Sequence, residues 1–362
     1  MDSAEIYFST DKQREFMVEL REKVDAYFTQ NNLSKYGNER IILKTLVVLG
    51  LYLGPYFLMV TGVITSLPLI FLGWVLMGFG MAGIGMNVMH DANHGTFSTY
   101  PALNRVFSLS LYLLGGLPVT WRIQHNHIHH AFTNIPGYDD DIEPVEILRF
   151  SPHKPWHKVQ RYQHIYATIL YGLMTILWIT TKDFQQIFRY QKDGQLAAEG
   201  KSFYKLLFTL IISKVLYYIV FLALPLVLLP IPWYLTLVCF IIMHFIAGIV
   251  LALIFQTAHI MPESAYPQPN EKGEIAENWL VHQLSVTTDY APENKALTWL
   301  AGGLNYHAIH HLFPNISHVH YKDLSHIVKM VTTKYGVPYR VQPTFMGALG
   351  EHFRMLKLLG RK

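Results

Sequence analysis

Two long stretches of this chain contain no lysine or arginine, one between Lys44 and Arg105 and the other between Lys214 and Lys272. They are also its most apolar stretches. Such sequence has few options, because a bilayer accepts only backbone whose polar groups are satisfied internally. A helix of about 20 apolar residues crosses roughly 30 Å of hydrocarbon. The first window holds two such helices, about 42–63 and 67–89, joined near GVITSLP. The second holds two more, about 211–229 and 233–256, joined by LLPIPWY. The composition agrees: of 362 residues, 51% are hydrophobic and only 15% charged, against roughly 25% charged in soluble domains. Mean hydropathy is +0.21.

Both joins are short and uncharged, so each pair of helices reads as a hairpin. Residues 1–41, 90–210 and 257–362 then share one side. They carry every Lys and Arg except Lys44 and Lys214, which fall at the expected membrane boundary. The positive-inside rule makes that side, and both termini, cytoplasmic. The expected fold is an all-α integral membrane protein. Four transmembrane helices in two hairpins would carry a cytosolic helical cap. Its parts are an N-terminal segment 1–41, a membrane domain 42–256 with an intervening loop 90–210, and a C-terminal part 257–362, together one domain. Residues 103–119, interrupted by Arg105 and Gly115-Gly116, and the amphipathic 165–181 read as interfacial or partly re-entrant helices.

The first forty residues lack the short apolar core of a cleavable signal peptide. Cys239 is the sole cysteine, so neither an internal disulfide nor a thiolate metal site can form. It is expected to be a small packed or lipid-facing residue. The net charge of +4 is small, and no nucleic-acid partner is expected.

Chemistry enters through histidine. Of 19 histidines, eight fall in three clusters: His90 and His94 in HDANHG; His125, His129 and His130 in HNHIHH; His307, His310 and His311 in NYHAIHH. Residues four apart project from one helix face, about 5–6 Å from each other. His90/His94, His125/His129 and His307/His311 all have that spacing. His259, in FQTAHI, follows the fourth apolar helix. The topology puts all nine at one membrane face. Nine imidazoles without a thiolate are too many for one tetrahedral zinc. They suit two ions, and nitrogen-ligated iron keeps positions open for dioxygen. The remaining ten histidines read as bystanders. His153, His157, His164, His326 and His352 are read as surface residues. His127 points away from the His125/His129 face. His244, in mid-span, is read as a neutral hydrogen-bonded packing residue rather than a ligand.

These motifs resemble the integral-membrane fatty acid desaturases. HDANHG, HNHIHH running into AFTN, FQTAHI and GGLNYHAIHHLFPNISHVHY carry the likeness along essentially the whole chain. The nearest branch is the front-end, linoleoyl-CoA-desaturase-like group, supported by TNIPGYDDDIEP and HHLFPNISHVHY. The resemblance implies a di-iron centre and O2-dependent removal of hydrogen from two adjacent methylenes of a lipid or acyl-CoA. The products are one cis double bond and water. Two departures stand out. Front-end enzymes commonly have Gln where His307 stands, which keeps the metal count but loosens inference about the oxidised bond. The fused b5-type domain of many eukaryotic members has no counterpart in the first forty residues. A separate electron donor is therefore expected, a ferredoxin or a b5-type cytochrome with its reductase.

Ligating histidines usually pass their second N–H to a carboxylate or carbonyl. Asp91, Asn93, Asp141, Asp289 and Asn305 are candidates for that supporting role, together with Asp139 and Asp140. Arg122, Lys154 and Lys158 are candidates for a phosphate headgroup, CoA or an acidic donor, beside the plainer reading of positive-inside charge. Two other functions compete. A lipid or alkane hydroxylase would share the di-iron centre. A metal transporter would place its ligands near mid-membrane, where only His244 lies, and is disfavoured.

Overall fold

The computed structural model describes residues 6–10, 12–143 and 146–362. Residues 1–5 and 11 of the expected N-terminal segment, and 144–145 of TNIPGYDDDIEP, lie outside the described residues. The chain is mostly helical. Its few strands are two-residue pairs, Tyr7–Phe8 with Glu274–Ile275 and Asp289–Tyr290 with Val341–Gln342, both parallel.

Among the described residues, four helices are long and apolar enough to cross a membrane: Glu39–Val60, Leu67–Asn93, Phe203–Leu228 and Trp233–His259. Three begin within about three residues of expectation. The third begins at Phe203 rather than 211 and so takes in Lys205 and Lys214. Lys214 is therefore buried well inside this helix, not at its boundary. Lys44 is buried as well, five residues into the first helix.

The two amphipathic stretches become bent helix pairs. Pro101–Leu114 and Pro118–Phe132 meet at 104°, and Lys158–Gly172 and Met174–Lys192 at 54°. The sharper bend has a local cause. Gly115 takes φ +76°, the left-handed region that disfavours other residues. Pro118 then opens the next helix at a position that needs no N–H donor.

The chain folds into two compact units. One comprises residues 38–125 and 168–253. In it the first two long helices run antiparallel at close range. A Cβ on Gly73 would meet Met59, one on Gly80 would lie 2.6 Å from the Tyr52 backbone nitrogen, and one on Gly83 would meet Val48. The core of this unit includes Tyr52, Trp74, Met77, Tyr217, Phe221 and Met243. Cys239 is buried in it.

The other unit comprises the described residues up to 37, then 126–167 and 254–362. Its helix Arg14–Gln30 presents Phe16, Leu20, Val24 and Phe28, a strict four-residue repeat on one face. That face packs on Leu280, Leu284, Ile309, Leu324, Val328 and Val331.

Candidate metal centre

In the first unit the helix Leu67–Asn93 switches to i→i+5 bonding over Ile84–Val88 immediately before His90. The segment Ile123–His129, which carries the second cluster, is bonded the same way. Such π-turns recur at functional sites because they re-aim side chains within a continuing helix. The rings of His90, His94 and His125 lie 4.8–5.1 Å apart. His90 Nε2 and His125 Nε2 approach to 3.2 Å. Two nitrogens each about 2.1 Å from one ion, at roughly right-angled to tetrahedral spacing, sit about 3.0–3.4 Å apart. Trp121 packs beside all three rings, nearest to His125 at 4.4 Å. Asp91 is buried 3.7 Å from His90 Nδ1. Asn93 donates to the Met89 carbonyl, and its amide oxygen accepts from Arg122.

In the second unit His129, His259, His307 and His311 each bring one ring nitrogen within 4.8 Å of the others. All four are buried. Their Nδ1 atoms face acceptors. His307 Nδ1 donates to the Leu304 carbonyl at 3.1 Å, His259 Nδ1 faces the Val286 carbonyl at 3.4 Å, and His129 Nδ1 is 3.0 Å from Asp139. His311 Nδ1 is 2.9 Å from Gln283 Oε1. An imidazole protonated at Nδ1 offers a lone pair at Nε2. His259 and His311 each bury an Nε2 that has no hydrogen-bond partner, which is the form a ligand takes. Burial, and then the repulsion of the surrounding imidazoles, holds His311 well below the usual histidine range, so it stays neutral as ligation requires. His130 and His310 bring their Nε2 atoms to 3.0 Å in the same unit, and His130 stacks on His311. His310 Nδ1 is engaged by the Tyr321 hydroxyl. All six rings of this unit therefore converge. The donor set, imidazole nitrogens with lone pairs turned inward, fits a nitrogen-ligated transition metal.

Local structure explains the placement. The fourth long helix ends at His259, three residues before Pro262, which cannot continue it in register. The His307–Leu312 helix starts after a turn in which Gly303 has φ +71°, where a Cβ would lie 2.9 Å from His318. Asp289 Oδ1 accepts from the Ala308 N–H at the first turn of that helix, where a carboxylate complements the dipole. Burial pushes the Asp289 carboxyl up to about 7, against the pull of hydrogen bonds from Tyr339 and the Ala308 and Ile309 N–H groups. Asn305 donates to the Tyr290 and Ala291 carbonyls and so ties the same turn to its neighbour.

Among the three aspartates of the DDD run, Asp139 rather than Asp141 is the fully buried partner of His129. It also accepts from the Asn134 and Asp141 N–H groups, while Asp141 is 3.4 Å from His129 and part-exposed. Gln283 and Tyr321 were not foreseen. The trace of Gln283 in the sequence is a polar side chain inside the otherwise apolar helix WLVHQLSV. His127 is exposed, as are His153, His157 and His326. His352 is fully buried and donates from Nδ1 to the Ile260 carbonyl, so it is a core histidine and not a surface one. His244 is buried with both ring nitrogens engaged, Nδ1 by Thr175 and Nε2 by Tyr217. The Thr175 hydroxyl donates to the His244 carbonyl, so it accepts from Nδ1–H. Lys154 pairs with Glu143 at 2.7 Å.

Membrane-length helices and buried clusters of imidazole define a class: a membrane-bound protein with a histidine metal site. The fatty acid desaturase family model matches residues 65–343, and the chain belongs to that family. It is an oxidoreductase that desaturates acyl chains. It is 33% identical to the sn-1 linoleoyl-lipid 6-desaturase of Synechocystis sp., over 97% of each chain. It is 32% identical to the protein of the same name from Arthrospira platensis, over 94% of this chain and 92% of the other. An acyl-lipid (8-3)-desaturase of Physcomitrium patens is 32% identical over 99% of this chain and 74% of that one.

Proposed function

We propose that this enzyme is an acyl-lipid desaturase that places a cis double bond at carbon 6 of an acyl chain such as linoleoyl, using O2 and two iron ions. The convergence of buried, Nδ1-anchored imidazoles carries this reading. The carbon position is drawn from the two linoleoyl-lipid 6-desaturases, whose coverage is nearly complete in both directions. The balanced reaction takes –CH2–CH2–, O2, two electrons and two protons to –CH=CH– and two waters.

His90, His94 and His125 would hold one ion, and His129, His259, His307 and His311 the other. His130 and His310 would complete the set. When bound, the irons supply the oxidising power drawn from O2. The protein supplies aim and dryness. Nδ1 partners fix His129, His259, His307, His310 and His311, Trp121 covers the first group, and burial keeps water from the reacting methylenes. Asp139 and Gln283 hold imidazoles in the ligating tautomer. Asn93, Asp289 and Asn305 hold the backbone that carries them, and Asp91 lies beside His90.

The four long helices would form two hairpins, with the remaining helices as a cytosolic cap and both termini on that side. Residues 1–41, 42–256 and 257–362 would then serve as parts of one desaturase domain. The electrons would come from a separate ferredoxin or b5-type cytochrome.

The test is expression in a host whose lipids lack a double bond at carbon 6, with double-bond localisation in total fatty acid methyl esters and iron assay of the purified protein. New carbon-6 double bonds and about two irons per chain are expected. New hydroxylated lipids without new double bonds would overturn the reading.

A further inference from the structure

The end of the helix Phe345–Leu359 is clamped to a much earlier segment of the second unit. Arg149 Nη1 donates to the Leu359 carbonyl at 2.9 Å, Trp156 Nε1 to the Gly360 carbonyl at 2.8 Å and Gln163 Nε2 to the Leu356 carbonyl at 2.8 Å. A Cβ on Gly360 would lie 2.5 Å from the Gln160 carbonyl oxygen. The two segments carry charge of one sign. Residues 147–167 hold Arg149, Lys154, Lys158 and Arg161 and no Asp or Glu; residues 352–361 hold Arg354, Lys357 and Arg361 and again no acid. Arg149 is engaged by main-chain carbonyls, Lys154 by Glu143 and Arg354 by Glu351. Lys158, Arg161, Lys357 and Arg361 are exposed, and among the described residues none of the four forms an ion pair. Lys357 and Arg361 both act electrostatically on His164, so the clamp gathers the four cations into one patch.

Apolar side chains interleave with these charges. The short helix Lys158–Tyr162 has three residues per turn, so Lys158 and Arg161 form one row and Val159 and Tyr162 the next. Gln160, on the third side, is buried. Val159 is 49% exposed, Tyr162 55%, Ile165 66% and Leu358 43%. Arg161 lies 5.6 Å from the Tyr162 ring centroid. No Lys, Arg, Asp or Glu then occurs before Lys182. An acidic soluble protein would be met by charge alone. Cations beside exposed aliphatic groups and a tyrosine, continuous with an apolar run, suit the headgroup layer of a bilayer, where the apolar groups enter the acyl boundary and the cations stay among phosphates.

We propose that this patch binds anionic phospholipid headgroups in the leaflet it faces, and so gathers acidic lipid around the clamped end of the C-terminal helix. The proposal is independent of which carbon is oxidised. Each Lys or Arg near an anionic surface strengthens such binding by about fivefold, and salt weakens it.

The test places a fluorophore on Val159→Cys in a full-length Cys239→Ala background, reconstituted in phosphatidylcholine vesicles. Quenching is compared for phosphatidylglycerol and phosphatidylcholine that carry the same acyl-chain nitroxide at the same mole fraction. Phosphatidylglycerol should quench several-fold more strongly, and high salt should reduce the excess. Lys158→Gln with Arg161→Gln, and Lys357→Gln with Arg361→Gln, should each remove part of the excess, and all four together should abolish it. The pairs keep the test decisive where the fourfold variant fails to fold. Lys154→Gln with Arg354→Gln, which removes the two paired cations, should leave the excess unchanged. Equal quenching by the two lipids in the unsubstituted patch, or an excess that survives both pairs, would overturn the proposal. An equal loss in the Lys154→Gln, Arg354→Gln variant would overturn it too, by tracing the effect to total charge. So would an intact lipid excess with lost reduction by an acidic ferredoxin, which would assign the patch to a protein.

Discussion

A histidine binds metal through one nitrogen and is aimed by the other. Spacing in the sequence exposes the first function and conceals the second. The i,i+4 pairs announced which imidazoles would gather. Their partners come from elsewhere in the chain: Gln283 for His311, Tyr321 for His310, Asp139 for His129. In a run of three aspartates, nothing local distinguishes the one that will be buried. Gln283 is itself held, because its Nε2 also donates to the His130 carbonyl. That bond turns Oε1 toward His311. Gln283→Leu should therefore lower iron retention by about 10–100-fold, as loss of such supporting bonds typically does. Iron per chain after dialysis against a weak chelator measures it, and unchanged occupancy would remove Gln283 from the supporting role. His352 gives a prediction in pH. Burial lowers it from 6.5 to about 4, so the folded protein binds fewer protons than the unfolded chain in between. Its stabilising contribution is complete above pH 6.5 and declines as pH falls toward 4, by roughly 2–3 kcal/mol at pH 4.5. Thermal unfolding of wild type and His352→Gln at pH 7 and 4.5 should show the variant losing less on acidification. Equal losses would mean that this position does not titrate in that range.

At the level of elements, apolar length and missing charge were enough to place the four long helices, and the Gly115-Gly116 pair marked the interruption at which the sharper bend falls. The start of the third helix escaped because Lys214 looks like an end signal. It is instead neutralised inside the unit. Lys214 Nζ donates to Asp183 at 2.6 Å and to the Trp178 carbonyl at 2.8 Å, and it also reaches the Gly115 carbonyl. Asp183 in turn accepts from Thr120 and the Trp178 indole. One ion pair thus fastens the third helix to the Gly115 bend and to the helix leading to His125. No sequence window could reveal a partner 31 residues away. Removing one member of such a pair strands a charge and costs about 3–5 kcal/mol, whereas removing both is often nearly neutral. Lys214→Met should accordingly lower the thermal midpoint sharply, and Lys214→Met with Asp183→Leu should recover most of it. A double variant no better than the single one would show that the pair matters for more than charge balance.

For the whole molecule, the proposed sidedness can be tested directly because Cys239 is the only cysteine and is buried. In a Cys239→Ala background, Ser34→Cys and Glu271→Cys should react with a membrane-impermeant maleimide only from the cytoplasmic side. Gly62→Cys should react only from the opposite side. Labelling of Ser34→Cys and Gly62→Cys from the same side would break the hairpin reading. What the sequence could not convey at this scale is how far apart in the chain the pieces of one unit lie. Phe16, Leu20, Val24 and Phe28 recur every four residues, but the residues they cover lie between 280 and 331. That distance has a consequence for biosynthesis. Translation adds residues one at a time, and the third histidine cluster is among the last fifth of the chain to be made. The N-terminal helix must wait, its apolar face uncovered, until almost the entire polypeptide has left the ribosome. Ribosome-bound chains ending before His307 would thus expose that face to chaperones. Three of the six converging rings of this unit would also be missing, so stable loading of metal there belongs after synthesis and not during it.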